Sequence, residues 1–184
     1  MASFAGRAIR VIRRGSPGLT TRRMFRRAAG SLPMNELETE ILTWLGDLDG
    51  VPQDARFHPE GDALFHSLQV FERALDDRAE GELLAAALLH DIGKAHGGRD
   101  HDAIGAELLI GWPQRITWCV AHHLDLLRSP RQARSRLAGT LALRDLERLR
   151  RWDLAGRDPR ARVREPEEAA AIVVEALVER RERV

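Results

Sequence analysis

The chain has 184 residues, of which 43% are hydrophobic, and this is enough for one domain with an ordinary buried core. Its single cysteine, Cys119, excludes an internal disulfide and is typical of a reducing compartment, so we expect a cytoplasmic protein. No apolar run approaches the roughly 20 residues that a membrane-spanning helix requires, and we therefore expect no membrane span.

The net charge of +1 conceals two differently charged parts of the chain. Residues 1–33 contain eight arginines and no acidic residue, whereas the remainder carries a net charge of −7. Residues 1–33 have three interpretations: a disordered basic extension or one that precedes a true start at Met34, an arm that binds RNA or acidic lipid, or an arginine-rich transit peptide. We favour the first and expect residues 34–184 to form the folded domain.

From Met34 onward the hydrophobic periodicity predicts helices only, so we expect an all-α bundle of about six to seven helices. A short first helix contains Ile41, Trp44 and Leu45, and the last helix begins at Pro166, a residue favoured at the first helical position. Between them, apolar stripes predict helices over residues 61–77, 81–92, 102–111, 113–127 and 137–154. Residues 128–136, with the sequence RSPRQARSR, are predicted to be a basic polar loop.

The most informative stretch is an apolar run over residues 83–89 that is followed at once by His90 and Asp91. A helix that is apolar on all sides is a buried helix, and polar groups at its end cost free energy unless they are paired, hydrogen-bonded or bound to a metal. Gly93 is suited to end this helix. Lys94 is the only lysine in the chain, so either a compact charge is required there or the arginine bias of the sequence produces it by chance.

All seven histidines lie within 66 residues, between positions 58 and 123. Each one alone has an ordinary explanation as a surface residue in a polar loop (His58 and His96), a core residue (His123) or a local capping residue (His101 and His122). Together with the His90–Asp91 pair, they supply the residue types that bind one or two divalent metal ions.

A further carboxylate is predicted from the helix over residues 137–154. Leu146 and Leu149 face the core, and Asp153 continues the same stripe at i+7 and i+4, so its carboxylate is expected to be buried and to need a cation. Asp145 instead lies between arginines and is expected to form a surface ion pair of little energetic value. We therefore favour Asp153 over Asp145 as a site residue.

Six short segments occur in a fixed order: FHPEGD at 57–62, FHS at 65–67, ALLHDIGK at 87–94, DHDAIGAEL at 100–108, VAHH at 120–123 and WDLAGR at 152–157. This series resembles the HD superfamily of metal-dependent phosphohydrolases, and it is most similar to the HD domain at the C-terminus of bacterial tRNA nucleotidyltransferases. The nucleotidyltransferase head has no counterpart in residues 1–56, so we expect no addition of nucleotides to tRNA. The absence of tyrosine argues against the HD-GYP subfamily, which needs a Gly-Tyr-Pro segment.

The resemblance implies a set of site residues. One metal ion would be held by His66, His90, Asp91 and Asp153, and a second by Asp91, His101, His122 and His123. These ligands suit Mn, Fe, Ni, Co or Zn better than Mg alone. A metal-activated water would attack phosphorus, with Asp91 and Lys94 in the catalytic centre, and Lys94 and Arg157 would contact the phosphate. Asp62, one turn before His66, is expected to orient that imidazole.

We therefore expect a metal-dependent phosphohydrolase that acts on a phosphomonoester, nucleotide or cyclic phosphodiester. The alternative is a catalytically silent module that binds metal and nucleotide, or that associates with RNA through residues 1–33. A purely structural zinc site is less consistent with the sequence, because such sites take four ligands rich in cysteine, and this chain has one cysteine.

Overall fold

The computed structural model describes residues 33–182, and this part of the chain contains helices but no strand. Its α-helices are α1 (Met34–Leu48), α2 (Ala63–Asp76), α3 (Gly81–Leu89), α4 (His101–Leu108), α5 (Gln114–His122), α6 (Asp125–Arg128), α7 (Pro130–Arg136), α8 (Leu141–Ala155) and α9 (Pro166–Glu182). A 3-10 turn, Ile92–Ala95, lies between α3 and α4. The all-α prediction is confirmed, whereas the predictions for residues 1–33 fall, apart from Pro33, outside the described residues.

Helix α3 lies at the centre of the fold, as its sequence predicts. Every residue from Leu83 to Leu89 is at most 3% exposed, and the helix packs against α2, α5, α8 and α9. Burying seven apolar side chains from one helix stabilises the domain by roughly 0.8 kcal/mol for each buried methylene group. The helix ends at Leu89, earlier than predicted, and His90 and Asp91 follow at its buried end. Within residues 33–182, no helix is both long and apolar enough to cross a membrane.

Gly93 has a different role from the predicted one. The chain has already left α3 at this residue and has entered the 3-10 turn. A Cβ atom at Gly93 would overlap the carbonyl group of His101 and would lie 2.7 Å from the backbone nitrogen of Gly105. The missing side chain therefore allows the first turn of α4 to pack directly on the turn that follows α3.

The region predicted as a basic loop, residues 128–136, is mostly helical, and this prediction is wrong. Pro130 occupies the first turn of α7, and Ala133 is buried in a small apolar cluster with Leu126 and Leu146. A single buried alanine leaves almost no hydrophobic stripe in the sequence, so the periodicity could not reveal this short helix. The predicted helix over residues 113–127 is likewise divided into α5 and α6.

The prediction that Asp145 forms a surface ion pair is also wrong. Asp145 is 2% exposed, and its two oxygens accept hydrogen bonds of 2.7 Å from Nε and Nη2 of Arg115 on α5. This bidentate pair joins α8 to α5. The partner lies 30 positions away in the sequence, so the neighbouring arginines on α8 gave a misleading local explanation.

Candidate metal centre

Six of the seven predicted metal ligands converge on one site from separate elements of the fold. All six are buried, with at most 8% of each residue exposed: His66 on α2, His90 and Asp91 after α3, His101 at the start of α4, His123 after α5 and Asp153 on α8. The predicted burial of Asp153 is confirmed. Such a concentration of buried imidazoles and carboxylates is costly unless its members are paired or bind cations.

Asp91 lies at the centre of this cluster. Its Oδ2 atom is 3.2 Å from Nε2 of His90 and 3.8 Å from Nε2 of His66. Its Oδ1 atom is 3.2 Å from Nε2 of His101 and 3.6 Å from Nε2 of His123. The two carboxylate oxygens therefore face two different pairs of imidazoles.

Backbone carbonyl groups fix the orientation of these four imidazoles by bonding to the ring nitrogen that faces away from Asp91. Their Nδ1 atoms lie 2.7–3.0 Å from carbonyl oxygens: His66 from Gly156, His90 from Ala87, His101 from Gly98 and His123 from Val120. A carbonyl oxygen can only accept, so each Nδ1 donates a proton, and Nε2 keeps a lone pair whenever the ring is neutral. This second hydrogen bond is the usual support of a metal-binding histidine.

The ligand atoms form two groups of the size that a metal ion requires. Within His66, His90 and Asp91, and again within Asp91, His101 and His123, one ligand atom per residue lies within 4.8 Å of the others. Nε2 of His66 is buried without a hydrogen-bond partner. Asp153 extends the first group, because its Oδ1 is 3.3 Å from that nitrogen. The residues present thus fit two divalent cations that share Asp91.

The protein itself partly compensates the buried carboxylates. Burial alone would raise the pKa of Asp91, but the charges of His90 and Lys94 hold it well below its usual range. Burial would lower the pKa of His66, yet the neighbouring carboxylates of Asp153, Glu60 and Asp91 raise that pKa to about 9. Without metal, a proton on His66 therefore offsets carboxylate charge at neutral pH, and a bound cation would take over this role.

Lys94 and Arg157, the predicted phosphate-binding residues, both lie beside the cluster. Nζ of Lys94 is 2.5 Å from Oδ2 of Asp91 and also donates to the side-chain carbonyl of Gln53. Nη2 of Arg157 is 2.9 Å from Oδ1 of Asp153. Nη1 of Arg150 is 2.6 Å from Oδ2 of Asp153. Gln53 and Arg150 were not identified as site residues from the sequence, because neither belongs to a recognised motif.

A cavity of about 810 Å³ opens over the cluster. Its polar floor includes His90, Asp91, His101, His123 and Asp153, and Lys94 and Arg157 stand at its side. Its remaining wall combines polar residues, among them Gln53, Asp54, His58 and Arg150, with the apolar residues Val51, Pro52, Phe57, Leu124 and Leu127. Two of these wall residues, Phe57 and Leu127, are more than half exposed. A ligand with a phosphate and an organic group of moderate size would find both kinds of surface here.

His122 is the predicted ligand that the structure does not bring into either group. Its side chain is 34% exposed, and its Nδ1 is 3.1 Å from Oδ2 of Asp125. Its ring lies 4.5 Å from that of Trp118. It is a local hydrogen-bonding residue here, which the sequence left open as an alternative to metal binding.

The loop before α2 also differs from the prediction. His58, expected on the surface, is 16% exposed at its side chain and lines the cavity, whereas His96 is exposed as predicted.

Asp62 is not the residue that orients His66. It caps α2 by accepting a hydrogen bond from the backbone nitrogen of Phe65 at 2.8 Å. The carboxylate contact to His66 comes from Glu60, whose fully buried side chain places Oε1 2.8 Å from Nδ1 of His66. Glu60 lies in an irregular loop, where periodicity gives no information about burial.

The domain is all-helical, and its buried histidines and aspartates occur in the order that resembles the HD superfamily. The chain belongs to the HD-domain family, whose model matches residues 64–176. Among curated proteins, it is similar to the multifunctional CCA protein of Hahella chejuensis, with 34% identity over 84 residues, covering 42% of this chain and 20% of the relative. The predicted resemblance to the HD superfamily is thereby confirmed.

Two further relatives carry the same name. The multifunctional CCA protein of Halorhodospira halophila is 42% identical over 84 residues, covering 45% of this chain and 19% of the relative. That of Neisseria gonorrhoeae is 37% identical over 99 residues, covering 50% of this chain and 22% of the relative. This chain therefore spans about a fifth of the length of the curated relatives that it matches.

Proposed function

We propose that the protein is a metal-dependent phosphohydrolase that hydrolyses a phosphomonoester, a nucleotide or a cyclic phosphodiester. The observation that carries the proposal is the arrangement around Asp91. Four imidazoles direct Nε2 at its two oxygens, at distances of 3.2–3.8 Å, and Lys94 stands next to it at the side of the cavity. Membership of the HD-domain family supports this reaction class. Cys119 is free and buried, which is consistent with our proposal of a cytoplasmic protein.

The ligand chemistry favours particular metals. His66, His90, Asp91 and Asp153 would hold one cation, and Asp91, His101 and His123 would hold a second. A mixture of imidazole and carboxylate suits Mn, Fe, Ni, Co or Zn better than Mg alone. When bound, such cations polarise a phosphoryl oxygen and lower the pKa of a coordinated water to about 7.

The remaining residues bind and orient the phosphate. Lys94 and Arg157 place positive charge at the side of the cavity, where it would stabilise the phosphate as negative charge shifts between its oxygens. The side-chain carbonyl of Gln53 accepts from Nζ of Lys94 and thereby fixes the position of that ammonium group. The Phe57 carbonyl does the same for Arg157, from which it accepts at 2.9 Å. The apolar wall would exclude water from the organic part of the substrate.

One observation favours a second candidate, a module that binds nucleotide without turnover. Lys94 pairs with Asp91, and both Arg150 and Arg157 pair with Asp153. Cations of the chain itself thus neutralise both carboxylates, so the fold is electrostatically consistent without metal.

Metal analysis and a hydrolysis assay on the same samples test the proposal. We expect the purified protein to hold about one or two divalent ions and to hydrolyse a bis-aryl phosphodiester or an aryl phosphomonoester. Asp91→Asn should abolish turnover, because it removes the shared ligand while preserving side-chain size. His96→Gln is the matched control, since His96 is exposed and outside the cluster. Absence of turnover, with or without bound metal, would favour the binding module, and failure to bind any divalent ion would in addition refute the ligand assignment.

A further inference from the structure

A second cavity, open to solvent and about 550 Å³ in volume, adjoins the metal centre between α7 and α8. Three arginines line it, together with one acidic and three apolar residues: Arg134, Arg150, Arg151, Glu147, Leu126, Leu154 and Ala155. We call this set of residues the α7–α8 groove. Its composition, cationic with an apolar floor, differs from that of the metal centre, and the reaction at Asp91 does not account for it.

The groove belongs to a basic segment within an acidic domain. Residues 125–157 contain nine arginines against four acidic residues, a net charge of +5, although the chain from residue 34 onward has a net charge of −7. On α8, Glu147, Arg150, Arg151 and Leu154 follow at i, i+3, i+4 and i+7, so they share one face of the helix. Two arginines of this segment, Arg150 and Arg151, therefore lie on the face of α8 that lines the groove.

Arg150 joins the groove to the metal centre. It lines both cavities, and its Nη1 atom is 2.6 Å from Oδ2 of Asp153. A ligand in the groove and a phosphate in the cavity over Asp91 and Asp153 would thus lie on either side of one shared residue, Arg150. The groove has the position expected for a part of the substrate beyond the phosphate that reacts.

The other two arginines are available for such a ligand. The side chains of Arg134 and Arg151 are 56% and 62% exposed, and their ion pairs are with the exposed carboxylates of Glu147 and Asp77. Exposed pairs of this kind contribute little to stability. A phosphate group could therefore replace either carboxylate with little loss to the fold.

We propose that the α7–α8 groove binds the backbone of a single-stranded oligonucleotide whose terminal phosphate ester lies in the metal centre. This inference rests on the proposed function, which puts a phosphate over Asp91. Arg134, Arg150 and Arg151 would contact successive phosphates, and the apolar floor at Leu126 and Leu154 would pack against sugars and bases.

The test compares oligonucleotide binding by full-length variants. The probe is a fluorescent 2′-O-methyl oligouridylate of about six nucleotides, which is within the range of about 4–16 nucleotides known for single-strand binding sites, and its backbone resists hydrolysis. Arg134→Gln/Arg151→Gln should weaken binding about tenfold, which is about 1.4 kcal/mol. The slope of log K against log salt is negative, and its magnitude should decrease by about 1.4, since each of the two lost phosphate contacts removes about 0.7. Glu147→Gln, which removes the acidic residue of the groove, should strengthen binding.

The matched control, Arg160→Gln/Arg162→Gln, removes two exposed arginines outside the groove. It should bind as the wild type does, and the eight arginines of residues 1–33 are common to all variants, so their contribution cancels. Equal weakening of oligonucleotide binding in both double variants would contradict the proposal that the groove binds the oligonucleotide. Displacement of the probe by polyglutamate as effectively as by an unlabelled oligonucleotide would contradict it as well.

Wild-type turnover of the bis-aryl phosphodiester reports separately on the metal centre. Turnover without groove-dependent binding refutes this inference alone, and groove-dependent binding without turnover refutes the proposed hydrolase.

Discussion

Oδ1 of Asp91 and Nε2 of His101 lie 3.2 Å apart, although the first residue follows α3 and the second begins α4. They meet because Gly93 lets the two segments pack backbone against backbone, with no room for a side chain between them. The geometry of the group formed by Asp91, His101 and His123 therefore depends on a glycine that is not itself a predicted ligand.

Replacing Gly93 with alanine should therefore disturb the second metal group. The new Cβ would meet the backbone of His101 and Gly105, so α4 must shift, and we expect a destabilisation of about 1–3 kcal/mol. We also expect weaker binding of a second metal ion by calorimetric titration. Gly46→Ala on α1 is the control, because nothing lies within 4 Å of a Cβ at Gly46. Equal metal binding by both variants would show that the close approach is unimportant.

Substitution of adjacent histidines distinguishes the structure from the sequence-based ligand set. His123→Gln should lower the metal content by about one ion per chain, because Nε2 of His123 faces Asp91. His122→Gln should bind metal as the wild type does, since that side chain bonds to Asp125 outside both groups. Metal analysis after dialysis measures both. The reverse pattern would mean that His122, as the sequence predicts, is the ligand.

The sequence predicted those parts of the site that follow helical periodicity or a motif. Asp153 was placed on the buried stripe of its helix from Leu146 and Leu149, and it is indeed buried. Periodicity specifies which face of a helix is buried, but it does not specify what that face meets. Glu60 and Asp145 were missed or misassigned for this reason, because their partners lie on other elements and appear only when the helices pack.

Glu60 and the cluster should give the metal-free protein a characteristic pH dependence. The pKa of His66 is raised from its ordinary value of 6.5 to about 9. Because the folded state binds this proton more tightly, the stabilisation is fully present below about pH 6.5 and is lost as the pH rises through about 9. Urea unfolding in the presence of a chelator should therefore show stability falling over this interval.

Glu60→Gln provides the control for that measurement. It removes a carboxylate that raises the pKa of His66, so the fall in stability should again begin near pH 6.5 but should be smaller and end at a lower pH than in the wild type. Metal-loaded protein should lose less stability over the same interval, because binding of metal by His66 requires the neutral imidazole. A stability that is constant from about pH 6.5 to 9 in the metal-free wild type would contradict a protonated His66.

The ion pair between Asp145 and Arg115 should matter for stability and not for metal binding. Asp145 is 2% exposed, so Arg115→Ala would leave its carboxylate buried without a partner, at a cost of about 3–5 kcal/mol. Arg134→Ala breaks an exposed pair with Glu147 and should cost less than about 1 kcal/mol. Urea unfolding measures the difference. Metal content measured under conditions where both variants are folded should equal that of the wild type, because the pair ties α5 to α8 without contacting any ligand. Similar stability losses in the two variants would contradict the burial of Asp145.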